Sequence, residues 1–378
     1  MSFTLLHTAD WQIGKPFRNF PDEISAVLRD ARLEAIDRLA EIAVAKGARH
    51  VLVAGDVYDV ARLGLADLML PVERMRKHAG LVWHLLPGNH DPAGAGSLWQ
   101  RLGAAGLPAN IRIHAAAGPV AIEAGVSLLP APLTGRSSAD DPTLYMAHAH
   151  TPEGALRIGL AHGSVRGFGS AETAAVRIDP ARVATARLDY LALGDWHGTL
   201  QVSARCWYSG TPEPDGFDDN SPGHALIVRF TAPGVPPQIE RIDTRRFLWL
   251  RRTVRIDRIE DLARLESELA GQPMPGDRLI VRLELTGLVA LGLRTAIERR
   301  LELLRPRFRH LATDLRQLAP APTPDELARL SRQGEIGAAS SWLGDRVQTG
   351  AAPERETAAR ALARLYQLVM DSEAGVAP

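Results

Sequence analysis

The chain has 378 residues and a formal net charge of zero, so its length allows a sizeable core and two domains, while its charge excludes a uniformly basic, histone-like DNA binder. Its single cysteine, Cys206, excludes an internal disulfide and any cysteine-based zinc site, and is compatible with a reducing cytosol. No apolar run reaches the roughly 18 residues that span a bilayer and no signal peptide is recognisable, so we expect a soluble, cytoplasmic protein.

The charge is unevenly distributed along the chain. Residues 241–320 contain 17 Arg against 11 acidic residues, and residues 321–378 contain 6 Arg against 8, which leaves residues 1–240 with about −4. An acidic N-terminal part suits a metal site built from carboxylates, and a basic segment beyond it suits a polyanion. Solvated helix faces would explain the same Arg excess, so charge alone does not select a ligand.

Short apolar runs alternate with longer amphipathic stretches over the first 230 residues. A helical pattern from about 23 to 46 follows the run "TLLHTAD", and another from about 61 to 77 follows "HVLVAGD". Continuous apolar strands separated by helices indicate a sheet covered on both faces. Later strands such as "IGLAHGSV" and "YLALGDWHG" are closely spaced and predict a second sheet. The predicted fold class is therefore α/β, with two β-sheets packed as a sandwich.

The chain changes character near residue 245. The segment 245–320 is predicted to form a small β-α-β-α-β unit, and residues 324–378 are predicted to form two helical stretches. We therefore expect a first domain over 1–232, a smaller domain over 245–320 and a C-terminal helical segment over 324–378.

Side chains that ligate metal ions stand where five of the predicted strands end. They are Asp10, Asp56, Asn89 with His90, His162, and Asp195 with His197. Strand ends of a central sheet converge, and oxygen and nitrogen donors suit Mn²⁺, Fe²⁺, Zn²⁺ or Mg²⁺. A carboxylate that bridges two ions makes a two-metal site, which suits phosphodiester hydrolysis.

The motifs that carry these residues resemble a known enzyme family. "HTADWQIG", "GDVYD", "PGNHD", "AHG" and "GDWHG", in that order, resemble the calcineurin-type metallophosphoesterases. More narrowly, they resemble the nuclease subunit of the SbcCD DNA-repair complex and the SbcD-like exonucleases often called YhaO, as does "YSGTPEP" after the last motif. The resemblance implies a metallophosphoesterase sandwich of two mixed β-sheets flanked by helices, a smaller α+β capping domain and C-terminal helices.

The resemblance also implies a ligand set for two divalent ions, which we expect to be Mn²⁺, with Mg²⁺ or Fe²⁺ as alternatives. Asp56 would bridge both ions. Asp10 and His197 would bind the first ion, while Asn89 and His162 would bind the second.

Two further residues have implied catalytic roles. His90 would protonate the leaving oxygen or stabilise the transition state. Asp59 would support His90, although it could equally cap the following helix.

Two positions depart from the family pattern. Gln12 stands where the family has a histidine on the first ion, and Asp195 stands where it has a histidine on the second. Both replacements offer oxygen donors, which favours Mn²⁺ or Mg²⁺ over Zn²⁺. Because both are of ligating type, we interpret them as a retuned site rather than a lost one.

Several other residues attract attention without joining the motifs. His148 and His150 resemble a metal pair, but we expect them to be solvated or capping. His7 is expected in the core or behind the site. Trp11 and Trp196 lie between ligand positions and are expected to form a wall of the site.

Three functions are consistent with these features. The first is a metal-dependent DNA exonuclease or endonuclease acting in repair, as a homodimer with an SbcC-like coiled-coil ATPase that would bind the C-terminal helices. The second is a phosphodiesterase of a small nucleotide or other diester. The third is a non-catalytic DNA-binding subunit.

Overall fold

The computed structural model describes residues 2–59, 63–167, 175–320, 323–331 and 334–373. The chain divides into two units, Met1–Arg246 and Phe247–Pro378. None of the helices in the described ranges is long and apolar enough to cross a membrane.

The first unit contains the predicted alternation of strands and helices. Its described helices are α1 (Asp22–Ala45), α2 (Leu65–Lys77), α3 (Leu98–Ala105) and α4 (Arg182–Thr185). Its described strands are β1 (Phe3–Thr8), β2 (His50–Val53), β3 (Val82–Leu85), β4 (Ile111–Ile113), β5 (Val120–Glu123), β6 (Val126–Ala131), β7 (Leu156–His162), β8 (Ser164–Val165), β9 (Arg177–Ile178), β10 (Tyr190–Gly194), β11 (Leu200–Ser203), β12 (Cys206–Tyr208), β13 (His224–Phe230) and β14 (Gln238–Asp243).

These strands form two mixed sheets of six strands each within the described part of the chain. The first has the order β14-β13-β1-β2-β3-β4 and the second the order β11-β12-β10-β7-β6-β5. In the first sheet β1, β2, β3 and β4 run parallel, while β13 pairs antiparallel with β1. The predicted fold class, an α/β sandwich of two mixed sheets flanked by helices, is confirmed.

Apolar side chains fill three layers of the first unit. One layer lies between the first sheet and its helices and includes Ile36 and Leu39 of α1, whose spacing places them on one face of the helix. A second layer includes Leu52 and Leu160 and lies between the sheets. A third includes Met146 and lies on the outer side of the second sheet. Burial on both faces explains why the central strands are continuously apolar.

A row of three buried histidines crosses the first sheet. His84 is paired in register with Leu52, so it shares the face that meets the second sheet. The His50 and His84 rings stack at 5.2 Å with a nitrogen–nitrogen distance of 3.0 Å, and His84 and His114 repeat both values. Burial lowers the pKa of His114 to about 4, and it lowers the pKa of His84 well below its usual value.

We expect this row to make the protein unstable in mild acid. As pH falls through about 6.5, the unfolded chain takes up protons that the folded histidines resist, so the free energy of unfolding falls between about pH 6.5 and 4. His114 alone would contribute about 3 kcal/mol of this loss, from its pKa near 4. Urea titrations across this range should show a shallower pH slope for His114→Gln than for the wild type. His148→Gln, at an exposed histidine of the same unit, is the control, and equal slopes in all three proteins would contradict the assignment.

The second unit contains the predicted β-α-β-α-β segment. Its described elements are β15 (Leu248–Arg255), α5 (Ile259–Ala270), β16 (Leu279–Val289), α6 (Leu291–Leu304), β17 (His310–Pro320), α7 (Pro324–Ser331), α8 (Glu335–Thr349) and α9 (Ala352–Glu373). The three strands form a parallel sheet in the order β15-β16-β17. Leu265 of α5 and Ile297 of α6 pack with Leu283 on one face of that sheet.

Two features differ in detail from the sequence-based boundaries. The strand β14 lies beyond residue 232 and pairs with β13, so the first unit extends to Arg246. The C-terminal helices belong to the second unit, where Leu362 and Tyr366 of α9 pack with Leu291 of α6. Part of the C-terminal helical segment, which was expected to bind a partner, therefore packs in the core of its own unit.

Candidate metal centre

The expected ligand residues stand at the ends of neighbouring parallel strands. Asp10, Asp56 and Asn89 follow β1, β2 and β3 of the first sheet. In the second sheet β7 ends at His162, and Asp195 comes directly after the parallel strand β10. Because the carboxyl ends of parallel strands meet at one edge of a sheet, the fold brings these side chains together from positions far apart in the sequence.

Three buried side chains form the centre of this cluster. The ligand atoms of Asp10, Asp56 and His162 all lie within 4.8 Å of one another. His162 Nδ1 lies 2.9 Å from the carbonyl oxygen of Ala54, to which it donates a hydrogen bond. Its Nε2 lies 3.5 Å from Asp56 Oδ1 and 3.2 Å from Asn89 Oδ1. A backbone acceptor on one ring nitrogen and oxygen donors around the other is how a metal-ligating imidazole is oriented.

The electrostatics of the cluster favour an added positive charge. Burial by itself would lower the pKa of His162, but the carboxylates of Asp56, Asp10 and Asp195 raise it to about 9. Burial raises the pKa of Asp10 to about 6. A divalent ion would supply positive charge to balance these buried carboxylates. Carboxylate, amide and imidazole donors suit such an ion. The residues present therefore fit a divalent metal ion.

Backbone strain is concentrated in the same place. Asp10, Gln12, Asp56 and Asp195 have φ angles of 54°, 45°, 51° and 103°. Few residues other than glycine adopt this region, and each such residue costs on the order of 1–3 kcal/mol unless its surroundings hold it. Strain that is retained at four neighbouring positions indicates a functional site.

One carboxylate holds the two loops of the cluster against each other. Asp91 Oδ1 accepts a hydrogen bond of 2.6 Å from the Gly88 N–H, and Oδ2 accepts one of 3.0 Å from the Tyr58 N–H. The loops approach so closely that a β-carbon on Gly88 would lie 2.2 Å from Asp56 Oδ1. Asp91 is the last residue of the motif "PGNHD", but the sequence did not predict a role for it.

His90 lies beside the cluster and is half exposed. Its backbone N–H donates to Asp56 Oδ1 at 3.0 Å, and its ring Nδ1 lies 2.9 Å from the Asp59 carbonyl oxygen and 3.3 Å from Asp59 Oδ1. The hydrogen bond with Asp59 raises the pKa of His90 to about 9. The ring is therefore protonated at neutral pH and can act as an acid. Asp59 thus contacts His90 as expected.

Gln12 and His197 stand on the other side of Asp10. Gln12 Nε2 lies 3.1 Å from His197 Nε2, and His197 Nδ1 lies 3.2 Å from Asp215 Oδ1. Lys15 Nζ contacts both Gln12 Oε1, at 3.2 Å, and Asp215 Oδ2, at 2.5 Å. The side chain of Arg32 is buried and pairs with Asp215 at 3.2 Å.

The residues Lys15, Arg32 and Asp215 were missed by the sequence-based reasoning. The available signals were the positions of Lys15 and Asp215, which directly follow the motifs "HTADWQIG" and "YSGTPEP". Two buried groups, Arg32 and Asp215, and two partly buried groups, Lys15 and His197, make this a polar network rather than a solvated surface.

Asp195 is joined to the cluster through its backbone. Its N–H donates to Asp10 Oδ1 at 3.1 Å, and its Oδ1 lies 3.8 Å from His162 Nε2. Its other oxygen accepts a hydrogen bond of 2.6 Å from Ser164 Oγ. The side chain can thus hold His162 electrostatically without a direct hydrogen bond to it.

The prediction that Trp11 forms a wall of the site is wrong. Trp11 is buried in the first layer, edge-on to Trp83 at 5.8 Å, with Nε1 donating to Thr8 Oγ1. Its two neighbours, Asp10 and Gln12, have positive φ angles, and its side chain belongs to the core of the first layer.

The other residues singled out lie apart from the ligands. Trp196 is half-buried and packs with the outer layer of the second sheet. His148 and His150 are exposed, next to a short 3-10 turn, as expected. His7 lies in the core, with its ring nitrogens 3.0 Å from Tyr190 Oη and 3.2 Å from the Leu193 carbonyl oxygen.

Comparison with known proteins gives three findings. Residues 3–171 match the calcineurin-like phosphoesterase family. A relative described as "Uncharacterized metallophosphoesterase YhaO" of Bacillus subtilis (strain 168) is 30% identical over 122 residues, which are 31% of this chain and 28% of the relative. The crystal structure of TT1561 of Thermus thermophilus gives a TM-score of 0.41 at 14% identity, covering 65% of this chain and all of that one.

The match to the family includes most of the cluster. Asp10, Asp56, Asn89, His90 and His162 all lie within the matched residues. The sequence resemblance is confirmed at this level, while the chain spans less than a third of the YhaO relative. Residues 3–171 therefore match the calcineurin-like phosphoesterases, and the cluster that fits a divalent ion lies within this stretch.

Proposed function

We propose that the protein is a Mn²⁺-dependent DNA nuclease that hydrolyses phosphodiester bonds in DNA repair. The observation that carries the hydrolytic part is the convergence of Asp10, Asp56 and His162 with His90 beside them, where the contact with Asp59 raises the pKa of His90. The oxygen-rich donor set favours Mn²⁺, which is harder than Zn²⁺.

The residues of the chain have distinct parts in this proposal. Asp10, Asp56, Asn89 and His162 would hold the ion, which would activate a water and stabilise the negative charge on the phosphate oxygens. His90 donates its ring proton to the leaving oxygen. That proton comes from Nε2, while Asp59 accepts the hydrogen bond of Nδ1 and so favours the protonated ring.

The second unit supports DNA as the substrate. Arg251 and Arg282 are paired in register on β15 and β16, and in a parallel sheet paired residues share a face. Arg316 of β17 is exposed, and the acidic residues Glu284 and Asp314 balance part of the charge. A face that carries more Arg than carboxylates binds a phosphate backbone without reading the bases.

The partners follow from the resemblance. An SbcC-like coiled-coil ATPase and a second copy of this chain are proposed because proteins that resemble this one assemble in that way. Within α7 to α9, Leu330 and Leu362 are buried, whereas Trp342 of α8 is exposed and lies against the Arg346 guanidinium at 4.7 Å. We therefore place the partner on the exposed face of α8.

The experiment that tests the nuclease uses two DNA substrates of the same sequence. Purified protein with Mn²⁺ is expected to degrade an end-labelled linear duplex, while a covalently closed circle survives longer because it has no ends. Asp56→Asn should abolish degradation, since Asp56 lies at the centre of the cluster. Hydrolysis of bis-p-nitrophenyl phosphate with both DNAs intact would indicate a small-diester phosphodiesterase instead. Salt-sensitive DNA binding without hydrolysis of any substrate would indicate a non-catalytic subunit.

A further inference from the structure

The residues expected to bind two ions form two sets, which differ in what their ligand atoms contact. Asp10, Asp56 and His162 direct oxygen and nitrogen atoms at a common point, and this set fits an ion. Gln12 and His197 direct their ligand atoms at each other and at Lys15. The second set therefore does not fit a second ion.

Lys15 determines the orientation of the Gln12 amide. An ammonium group only donates hydrogen bonds, so the amide atom that faces it at 3.2 Å is the oxygen. The amide nitrogen then faces His197 Nε2, at 3.1 Å. The one atom of Gln12 that could bind a metal ion is occupied by the Lys15 ammonium.

His197 is unavailable to an ion in the same arrangement. In the neutral ring, Nδ1–H donates to Asp215 Oδ1, and the Nε2 lone pair accepts the Gln12 N–H. In the protonated ring, neither nitrogen has a lone pair. In either form, an ion at this position would have to displace the Gln12 oxygen from Lys15, and with the neutral ring it would also have to break the hydrogen bond between Gln12 and His197.

The Lys15 ammonium is fixed in place of that ion. Asp215, whose side chain is 7% exposed, accepts from Lys15 Nζ at 2.5 Å and also pairs with the buried Arg32 at 3.2 Å. Lys15 itself is 28% exposed, so its ammonium is in contact with solvent. Among the described residues it contacts Gln12 and Asp215, which leaves one of its three N–H groups for an anion.

We infer that the domain binds a single divalent ion, at Asp10, Asp56, Asn89 and His162, and that the ammonium of Lys15 provides the second positive charge for the phosphate of the substrate. Lys15 is thus a substrate-binding and catalytic residue, and Asp215 is the residue that positions it. The role of Lys15 in turnover rests on the proposed hydrolase, whereas the number of ions does not.

The number of ions is measured on the protein without substrate. Equilibrium dialysis of the metal-stripped protein against Mn²⁺ is expected to give one tightly bound ion per chain, and electron paramagnetic resonance should show the spectrum of an isolated Mn²⁺. His162→Ala should remove this ion. Two ions per chain with a magnetically coupled spectrum would overturn the inference, even if the protein degrades DNA. No tightly bound ion would overturn it as well. One ion per chain without turnover would agree with the single-ion site and would contradict the proposed hydrolase activity.

The role of Lys15 is tested with bis-p-nitrophenyl phosphate. Lys15→Gln is expected to lower kcat by about a hundredfold, the usual effect of removing one group that stabilises a developing charge. It should leave one Mn²⁺ per chain, and Lys15→Arg should restore part of the rate. Lys46→Gln is the matched control, because Lys46 also pairs with a carboxylate at 2.5 Å, that of Glu240, in the same unit. Equal rates for Lys15→Gln and Lys46→Gln, at equal thermal stability, would overturn the assignment.

Discussion

Replacing His90 with alanine is expected to slow the cleavage of DNA by about a hundredfold to ten-thousandfold, the range that a positioned acid contributes. The DNA leaving group is an alkoxide, which departs slowly unless it is protonated. Nitrophenolate leaves without a proton, so the same variant should lose much less activity on bis-p-nitrophenyl phosphate. Rates are measured for both substrates at saturating Mn²⁺, and the ratio of the two losses is the result of interest.

Two controls complete this experiment. His90→Ala should bind as much Mn²⁺ as the wild type, because His90 is not one of the three clustered ligand residues and its Nε2 lies 4.0 Å from Asp56 Oδ2. His148→Ala, at an exposed histidine of the same unit, should leave both rates unchanged. Equal losses on both substrates would show that His90 stabilises the charged transition state and does not protonate the leaving oxygen.

Adding a single methyl group at Gly88 is expected to disable the metal centre. The β-carbon of Gly88→Ala would lie 2.2 Å from Asp56 Oδ1 and 2.5 Å from the Asp56 backbone nitrogen. Atoms cannot approach so closely, and the second contact is with the backbone, so the loop that carries Asn89 must separate from the loop that carries Asp56. We expect Mn²⁺ binding to be lost, turnover to fall at least about a hundredfold, and the melting temperature to fall.

The control for this variant is another glycine of the first unit. Gly103 lies in α3, and a β-carbon there would have no neighbour within 4 Å. Gly103→Ala should keep full Mn²⁺ binding and turnover and raise the free energy of unfolding by roughly 0.5–1 kcal/mol, since glycine weakens a helix. Wild-type binding and turnover in Gly88→Ala would show that the two loops are not held as the structure has them.

The part of the site that sequence reasoning found consists of residues at strand ends. Asp10, Asp56 and His162 were identified because an apolar run ending in a polar residue marks the end of a buried strand, and the ends of parallel strands meet. The same logic predicted the two sheets. This prediction uses only the local pattern of apolar residues and the fact that the ends of parallel strands meet. It therefore does not require knowledge of which loops contact each other.

The part that was missed depends on contacts between distant segments. Asp215 lies in a Pro-, Gly- and Asp-rich loop with no periodic pattern, and its partner Lys15 is 200 residues away in the sequence. The two neighbours of Trp11 have positive φ angles, although they are not glycines. No propensity rule predicts such strain, because the surrounding fold imposes it.

The two hydrogen bonds that Asp91 accepts affect how this domain tolerates insertions. Tyr58 and Gly88 are both tied to one carboxylate, and β3 is paired with β2 and β4, so the described residues 63–81, which include α2, lie in a loop whose return to the sheet is fixed. Longer or shorter versions of such a loop differ little in closure entropy, since each doubling of length adds only about 0.6 kcal/mol. Insertions in the surface around α2 can therefore accumulate in evolution while Asp56 and Asn89 keep their separation. This surface is the place in the domain where a new partner or regulator could be acquired without altering the chemistry.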